Sequence, residues 1–316
     1  MFFDPRPVPP WQRRLYGKWG LVALLAAFLL VGTTGHDPWR GADLRHFFAV
    51  WQVLQGQWLL PSALIDGTVP AAGPLYYWVA ALLGLLLEPL GLALHDATRF
   101  ASPLLLLCTL LSLGAAALPW CGKPWQAGAM LVGLGTLGWV LDAHQHQALL
   151  ASAAAIGLAL AAVSRREAQP AKAWIAACIA MAAGFLAQGF ALLLVLSIPW
   201  LATWPWPRIE AARRLSLLMA TALIFALPAI WFVTVWRTAE GEAWFALQAP
   251  QLSQEFIASN LDDAWRDAAW VAWPLWLLAL WPLRRAVNGD GSNLRLLAVA
   301  WAMIAMGLVV VTAWPP

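Results

Sequence analysis

The sequence predicts an all-α, polytopic membrane protein, and three observations support this fold class. Hydrophobic residues make up 62% of the 316 residues, charged residues make up only 11%, and the mean hydropathy is +0.69. The apolar residues come in long blocks and are more numerous than a water-soluble core of this size can bury. Tryptophan occurs 23 times, and its ring favours the headgroup layer of a bilayer. We therefore expect about nine transmembrane helices plus two helices that lie along the outer membrane face.

The expected membrane helices follow the apolar blocks in chain order. A cytoplasmic N-terminus, 1–17, precedes a single membrane domain that covers 18–316. No small-residue cleavage site follows the first block, so this block is expected to stay as an anchor. Several blocks are shorter than the ~20 residues that usually cross a bilayer, which requires local thinning. The blocks are 18–34, 100–118, 127–141, 148–163, 173–187, 190–204, 215–236, 268–283 and 296–313.

The apolar segment 74–94 is long enough to cross a bilayer, but the positive charges argue against a crossing. If it stays on one face, 14 of the 19 Lys and Arg residues lie in the cytoplasm and five lie outside. If it crosses, 7 lie in the cytoplasm and 12 lie outside. Because cytoplasmic loops carry the excess of positive charge, the segment is expected to lie along the outer face, bent at Glu88 and Pro89. The same count requires 173–204 to form a tight hairpin that turns at Gln188 and Gly189.

This topology gathers the polar residues on the outer face, in the segments 35–99 and 237–267 and in the short turn that carries Asp142, His144 and His146. All five histidines and 12 of the 16 acids fall outside. In residues 43–57, polar side chains are interspersed among apolar ones, as expected of a helix that lies in the membrane interface. The cytoplasmic loops carry no glycine-rich phosphate-binding motif, so a group donor is expected to be lipid-linked. The three cysteines are far apart, and neither a metal nor another cofactor is implied.

Three motifs occur in a characteristic order. HDPW at 36–39 follows the first span, GQWLLP at 56–61 follows the interfacial helix, and PLYYW at 74–78 opens a second such helix. This order resembles the C-type membrane glycosyltransferases, in the branch of bacterial lipid A aminoarabinose transferases and protein O-mannosyltransferases, over most of the chain. The resemblance implies transfer of a sugar, with inversion, from a polyprenyl-phosphate donor to a lipid or protein acceptor. It places the reaction at the outer face of the inner (plasma) membrane and implies no nucleic-acid partner.

The resemblance also implies which residues carry the reaction. An acid of the first outer loop, here Asp43 or Asp37, would act as the base that deprotonates the acceptor hydroxyl. Arg45 and Arg99 would bind the leaving phosphate, because the arginine fork suits phosphate geometry. Further candidates for donor contact or for lining the cavity are Tyr76, Tyr77, His46, His144 and His146.

The sequence departs from the family's pattern in two places. Ala42 stands where the family's catalytic Asp falls, and AAGP replaces EKPP, so that Ala71 and Ala72 replace a Glu and a Lys. Two other functions therefore stay open: a catalytically degenerate, transferase-like membrane partner, and a transporter or flippase for a lipid-linked sugar.

The candidate residues also have purely structural interpretations. Asp43 would be the N-cap of the interfacial helix, and Asp37, which precedes a proline, would belong to a turn. Arg45 and Arg99 would extend along the apolar surface to lipid headgroups. His144 and His146 would face water in a short turn between spans.

Overall fold

The computed structural model describes residues 18–39, 41–121, 123–136, 140, 142–205 and 210–249. Every regular element within these ranges is a helix. The α-helices are α1 (Lys18–Leu30), α2 (Ala42–Leu54), α3 (Leu75–Leu87), α4 (Leu94–Arg99), α5 (Ala101–Cys121), α6 (Lys123–Leu134), α7 (Leu149–Arg165), α8 (Pro170–Gln188), α9 (Phe190–Ala202), α10 (Ala211–Val235) and α11 (Ala239–Leu247). The predicted N-terminus 1–17, the spans 268–283 and 296–313 and most of the late outer loop lie outside the described residues.

Helices are found at each predicted span position within the described residues, so the all-α fold class is confirmed there. Three helical stretches are long and apolar enough to cross a membrane: Leu94–Pro119, Pro170–Gln188 and Arg213–Val235. The first of these runs through α4 and α5. The helices α1, α7 and α9 are apolar but shorter, and the predicted total of nine spans stays a prediction.

The centre of the bundle is formed by α5, α7 and α8, which pack side by side. Small residues allow this close approach, as is common between apolar helices. A Cβ atom added to Gly157 of α7 would lie only 3.2 Å from the Ser112 side chain of α5. Alanines such as Ala159 in α7 and Ala180 in α8 are likewise almost completely buried.

The block 173–204 forms the predicted hairpin. Helix α8 ends at Gln188, α9 begins at Phe190, and the single residue between them, Gly189, has φ = 67°. Glycine populates positive φ at no steric cost, which explains why the turn occurs here. Near the other end of the hairpin, the Nη1 of Arg166 donates a hydrogen bond of 3.0 Å to the carbonyl of Ala202.

Segment 74–94 contains α3, which is only 13 residues long. It begins after Pro74 and runs into a 3₁₀ turn, Glu88–Leu90, that contains Pro89 and ends at Gly91 in the left-handed region. Proline cannot continue the α-helical hydrogen bonds, and the glycine reverses the chain toward α4. Helix α3 packs against α2 and α4. The two helices expected along one face, α2 and α3, are therefore both present and in contact.

We call the end of the bundle that carries loops 31–41, 55–74 and 142–148 the polar end. Hydrogen bonds hold loop 142–148 against two helices at this end: His144 bonds the Phe28 carbonyl of α1, and the Gln147 amide bonds the Tyr76 hydroxyl of α3. The connectivity of α5 to α10 places a group of basic residues at the opposite end: Lys123, Arg165, Arg166, Lys172, Arg213 and Arg214. Among the described residues, Lys and Arg are thus more numerous at the end opposite Asp43.

Candidate functional site

Asp43 is at the centre of a buried polar cluster at the polar end. It lies in the first turn of α2 and its side chain is fully buried. Its Oδ1 accepts a hydrogen bond of 2.6 Å from the His146 backbone amide and lies 2.7 Å from the Nδ1 of that residue. Its Oδ2 accepts bonds from the Trp39 amide, at 2.8 Å, and from the Nη2 of Arg99, at 3.1 Å. Both carboxylate oxygens are therefore engaged.

These contacts decide the ionisation of Asp43. Burial by itself would raise the pKa of the carboxyl group, but hydrogen bonds and charge from His146, together with the Trp39 amide, hold the pKa well below its usual range. The group is a stable carboxylate at neutral pH. The predicted N-cap role of Asp43 is wrong, because the N-cap of α2 is Gly41 and no side chain caps it.

Arg99 completes the cluster from the end of α4. Its guanidinium is fully buried, so the interpretation that Arg99 extends to lipid headgroups is wrong. Nη1 donates to the carbonyl of Thr33, at 3.0 Å, and to Oδ1 of Asp96, at 2.9 Å. Asp96 in turn accepts a bond of 2.9 Å from the Gly35 amide. Two carboxylates thus share one guanidinium, which satisfies charges that would be costly to bury alone.

His146 extends the cluster to the loop between α6 and α7. It is fully buried, and its Nε2 lies 2.9 Å from Oγ1 of Thr98. Burial lowers the pKa of His146, although Asp43 opposes the shift. His144 points elsewhere: its Nε2 lies 2.6 Å from the carbonyl oxygen of Phe28, at the end of α1. The cluster therefore ties together loop 31–41, α2, α4 and loop 142–148.

The two tyrosines of PLYYW lie on α3 and are both buried where this helix faces α2 and α5. The hydroxyl of Tyr76 lies 2.8 Å from the hydroxyl of Ser102 and accepts a bond from the Gln147 amide at 3.1 Å. The hydroxyl of Tyr77 lies 3.1 Å from Nδ1 of His46. Tyr76 therefore supports the loop before α7, whereas Tyr77 positions a histidine.

His46 is only partly buried and differs from His146 in one important respect. Its Nε2 has no hydrogen-bond partner among the described residues. Unlike the Nε of Arg99, which is buried without a partner, this nitrogen is not fully buried. Burial, followed by the positive charges of His146 and Arg45, lowers the pKa of His46 to about 4. The imidazole is therefore neutral at pH 7 and has one accessible nitrogen.

Two predicted residues lie at the surface of the polar end. Arg45 is exposed, and its Nε forms an ion pair of 3.0 Å with Asp66 from loop 55–74. Hydrogen bonds from Thr68 hold the pKa of Asp66 below its usual value, which keeps the partner charged. Asp37 is also exposed, and its carboxylate contacts no side chain in the described part of the chain.

The structure therefore divides the predicted residues into two groups. The buried group consists of Asp43, Arg99, His146, Tyr76 and Tyr77. Asp43 bonds Arg99 and His146 within this group, whereas the two tyrosines bond residues outside it. The accessible group consists of Arg45, His46 and Asp37. Sequence reasoning missed the partners Asp96 and Asp66. Asp96 had a local signal, since it lies three residues before Arg99 on a helix, whereas nothing in the sequence points Asp66 toward Arg45.

No family model, no curated protein and no solved structure matches this chain.

Proposed function

We propose that the protein is a membrane glycosyltransferase that moves a sugar from a polyprenyl-phosphate donor to a lipid or protein acceptor, with inversion. The observation that supports this most directly is the buried cluster of Asp43, Arg99 and His146. Arg45 and His46, which are not fully buried, follow Asp43 on α2. Residues that the motifs assign to one reaction come from separate segments and meet at a single end of the bundle. Apolar helices beside that end can hold the isoprenoid tail of the donor.

The proposed reaction requires a cation for the leaving phosphate and a base for the acceptor hydroxyl. Arg45 is the predicted cation that reaches the surface, and a phosphate can replace Asp66 as its partner. Arg99 is already neutralised by two carboxylates and acts as a positioning residue that holds α2. The polar end would face the outside of the inner membrane, because the opposite end is rich in Lys and Arg.

The test uses the purified full-length chain in liposomes with labelled donors. Polyprenyl-phosphate mannose and polyprenyl-phosphate aminoarabinose represent the two branches that the motifs resemble. Release of polyprenyl phosphate, with transfer of the label to a lipid or peptide fraction, is the expected result. Absence of turnover with either donor and with both acceptor fractions would overturn the proposal.

One observation favours a second candidate, a degenerate transferase-like partner. Asp43 has no free carboxylate oxygen, and alanines occupy the positions of the family's acid and lysine at 42 and 72. Such a protein would still bind the donor but would not cleave it. A photoreactive polyprenyl-phosphate sugar distinguishes the two candidates: cross-linking at the polar end without release of polyprenyl phosphate supports the partner function.

A further inference from the structure

The polar end offers few groups that can act as a base. Sugar transfer to a hydroxyl needs an acceptor for one proton, within reach of the substrate. Asp43 is fully buried and accepts hydrogen bonds on both oxygens. Its low pKa further weakens it as a base. Asp37 is exposed, but no described side chain orients it. Neither carboxylate combines access with a fixed position.

His46 combines both properties. It lies one helical turn after Asp43, so the buried cluster fixes the helix that carries it. Its Nδ1 is 3.1 Å from the buried hydroxyl of Tyr77, which fixes the orientation of the ring. Contacts with the rings of Tyr76 and Tyr77, at centroid distances of 6.3 and 5.9 Å, define its inner side. The remaining nitrogen, Nε2, has no partner among the described residues.

We propose that His46 is the catalytic base, with Nε2 as the atom that receives the acceptor proton; this inference rests on the proposed function. This role requires the tautomer in which Nδ1 carries the hydrogen and donates it to the Tyr77 oxygen, which leaves the lone pair on Nε2. The acceptor hydroxyl loses its proton to Nε2 while its oxygen forms the bond to the anomeric carbon. The bond from that carbon to the phosphate oxygen breaks, and its electron pair leaves with polyprenyl phosphate. The imidazolium then returns its proton to water.

The electrostatic environment agrees with this role. The charged and titratable groups around His46 are Arg45 and Asp43 on its own helix, His146 from the loop before α7, and Tyr77 from α3. Burial, followed by the charges of His146 and Arg45, lowers the pKa of His46 to about 4, although the charge of Asp43 opposes the shift. The ring is thus unprotonated at neutral pH and free to accept a proton, at a position one turn from the site where the family's Asp is absent.

The decisive variant is H46N. The side-chain amide of Asn can take the place of Nδ1 and donate to Tyr77, so the fold is preserved, but no basic atom remains at the Nε2 position. We expect kcat to fall by about 100-fold or more, the usual contribution of a general base, with the donor KM within about threefold. H36N is the matched control: it makes the same change in a histidine of loop 31–41, and its kcat should stay within about threefold of wild type.

A second variant tests the chemistry independently of the first. In H46A, added imidazole can occupy the vacated space and should restore kcat in a concentration-dependent way, an effect that a purely structural role does not predict. A kcat of H46N within about fivefold of wild type, or a failure of imidazole to restore a folded H46A, would overturn the assignment. Absence of turnover by the wild-type protein would instead overturn the proposed glycosyltransferase function, so the two failures are distinguishable.

Discussion

Asp43 and Arg99 form a salt bridge of 3.1 Å in which both side chains are completely buried, although the two residues are 56 positions apart. A buried pair of this kind is expensive to desolvate and is satisfied here by additional hydrogen bonds. It fixes α2 against α4 next to Arg45 and His46, the candidate residues on α2 that are not fully buried. Its effect on activity is therefore expected to pass through the position of α2.

The first prediction concerns the stability that Asp43 provides. D43N leaves Arg99 and His146 without their shared anion, and removing one partner of a buried pair usually costs about 3–5 kcal/mol. Unfolding of the purified protein in detergent should show a loss of that order. D37N is the control, because the exposed Asp37 carboxylate contacts no described side chain. The double variant D43N/R99Q should lose less stability than the sum of the losses of D43N and R99Q. Strictly additive losses would argue against an interaction between the two residues.

Stability should also depend on pH through the histidines. Unfolded His titrates near pH 6.5, whereas His46 in the folded protein has a pKa of about 4. Protons therefore bind the unfolded chain preferentially between these values, so stability is lost as the pH falls from 6.5 toward 4. Thermal unfolding at pH 7.5 and pH 5.5 should show this decrease. H46N should show a smaller decrease than wild type, and the remainder should come from buried His146, whose pKa is also lowered.

The third prediction concerns Arg45 and its partner Asp66. If Arg45 binds the donor phosphate, Asp66 competes with it, and D66N should lower the donor KM by about threefold, as expected for loss of an exposed pair. R45Q should raise the donor KM on the order of tenfold, because it removes a charge-assisted hydrogen bond. Arg237, another exposed arginine near the polar end, supplies the control R237Q. An equal effect of R237Q would indicate general attraction rather than a site.

Tyr77 should act on catalysis only through His46. Y77F keeps the ring and its packing but removes the hydroxyl that lies 3.1 Å from Nδ1 of His46. We expect kcat to fall roughly tenfold, as for one lost hydrogen bond of ~1 kcal/mol or somewhat more. In the H46N background, Y77F should cause little further loss. Independent, multiplicative losses would show that Tyr77 does not position His46.

The hairpin between α8 and α9 should depend on Gly189. In G189A, the added Cβ meets the side chains of Gln248 and Trp244 and sits at a positive φ, so we expect a loss of about 1–3 kcal/mol. G135A is the control, since an added Cβ at Gly135 meets nothing closer than 3.5 Å. Equal stabilities of the two variants in detergent unfolding would contradict the tight packing of the turn.

The composition and the charge count predicted the helical class and the hairpin at Gln188 and Gly189, and Pro89 predicted the bend after α3. These features depend on apolar block length and on Gly and Pro, which act locally. The number of spans does not follow from the same information, because helices such as α9, with 13 residues, are shorter than the ~20 residues that cross a bilayer.

The roles within the site were harder to predict, because they depend on contacts between distant segments. Nothing local to Asp43 indicates that His146, 103 residues later, engages one of its oxygens. Likewise, no spacing rule connects His46 to Tyr77. The motifs identified most of the residues that meet at the polar end, but exposure, which only the fold determines, separates the buried Asp43 from the accessible His46.

The same long separation has a consequence for biosynthesis. Asp43 and Arg99 are translated and can pair well before the loop that carries His146 leaves the ribosome, so one carboxylate oxygen must wait for its final partner. A nascent chain halted before residue 146 should therefore leave α2 loosely docked, and protease sensitivity of loop 31–41 should disappear only after α7 has been made.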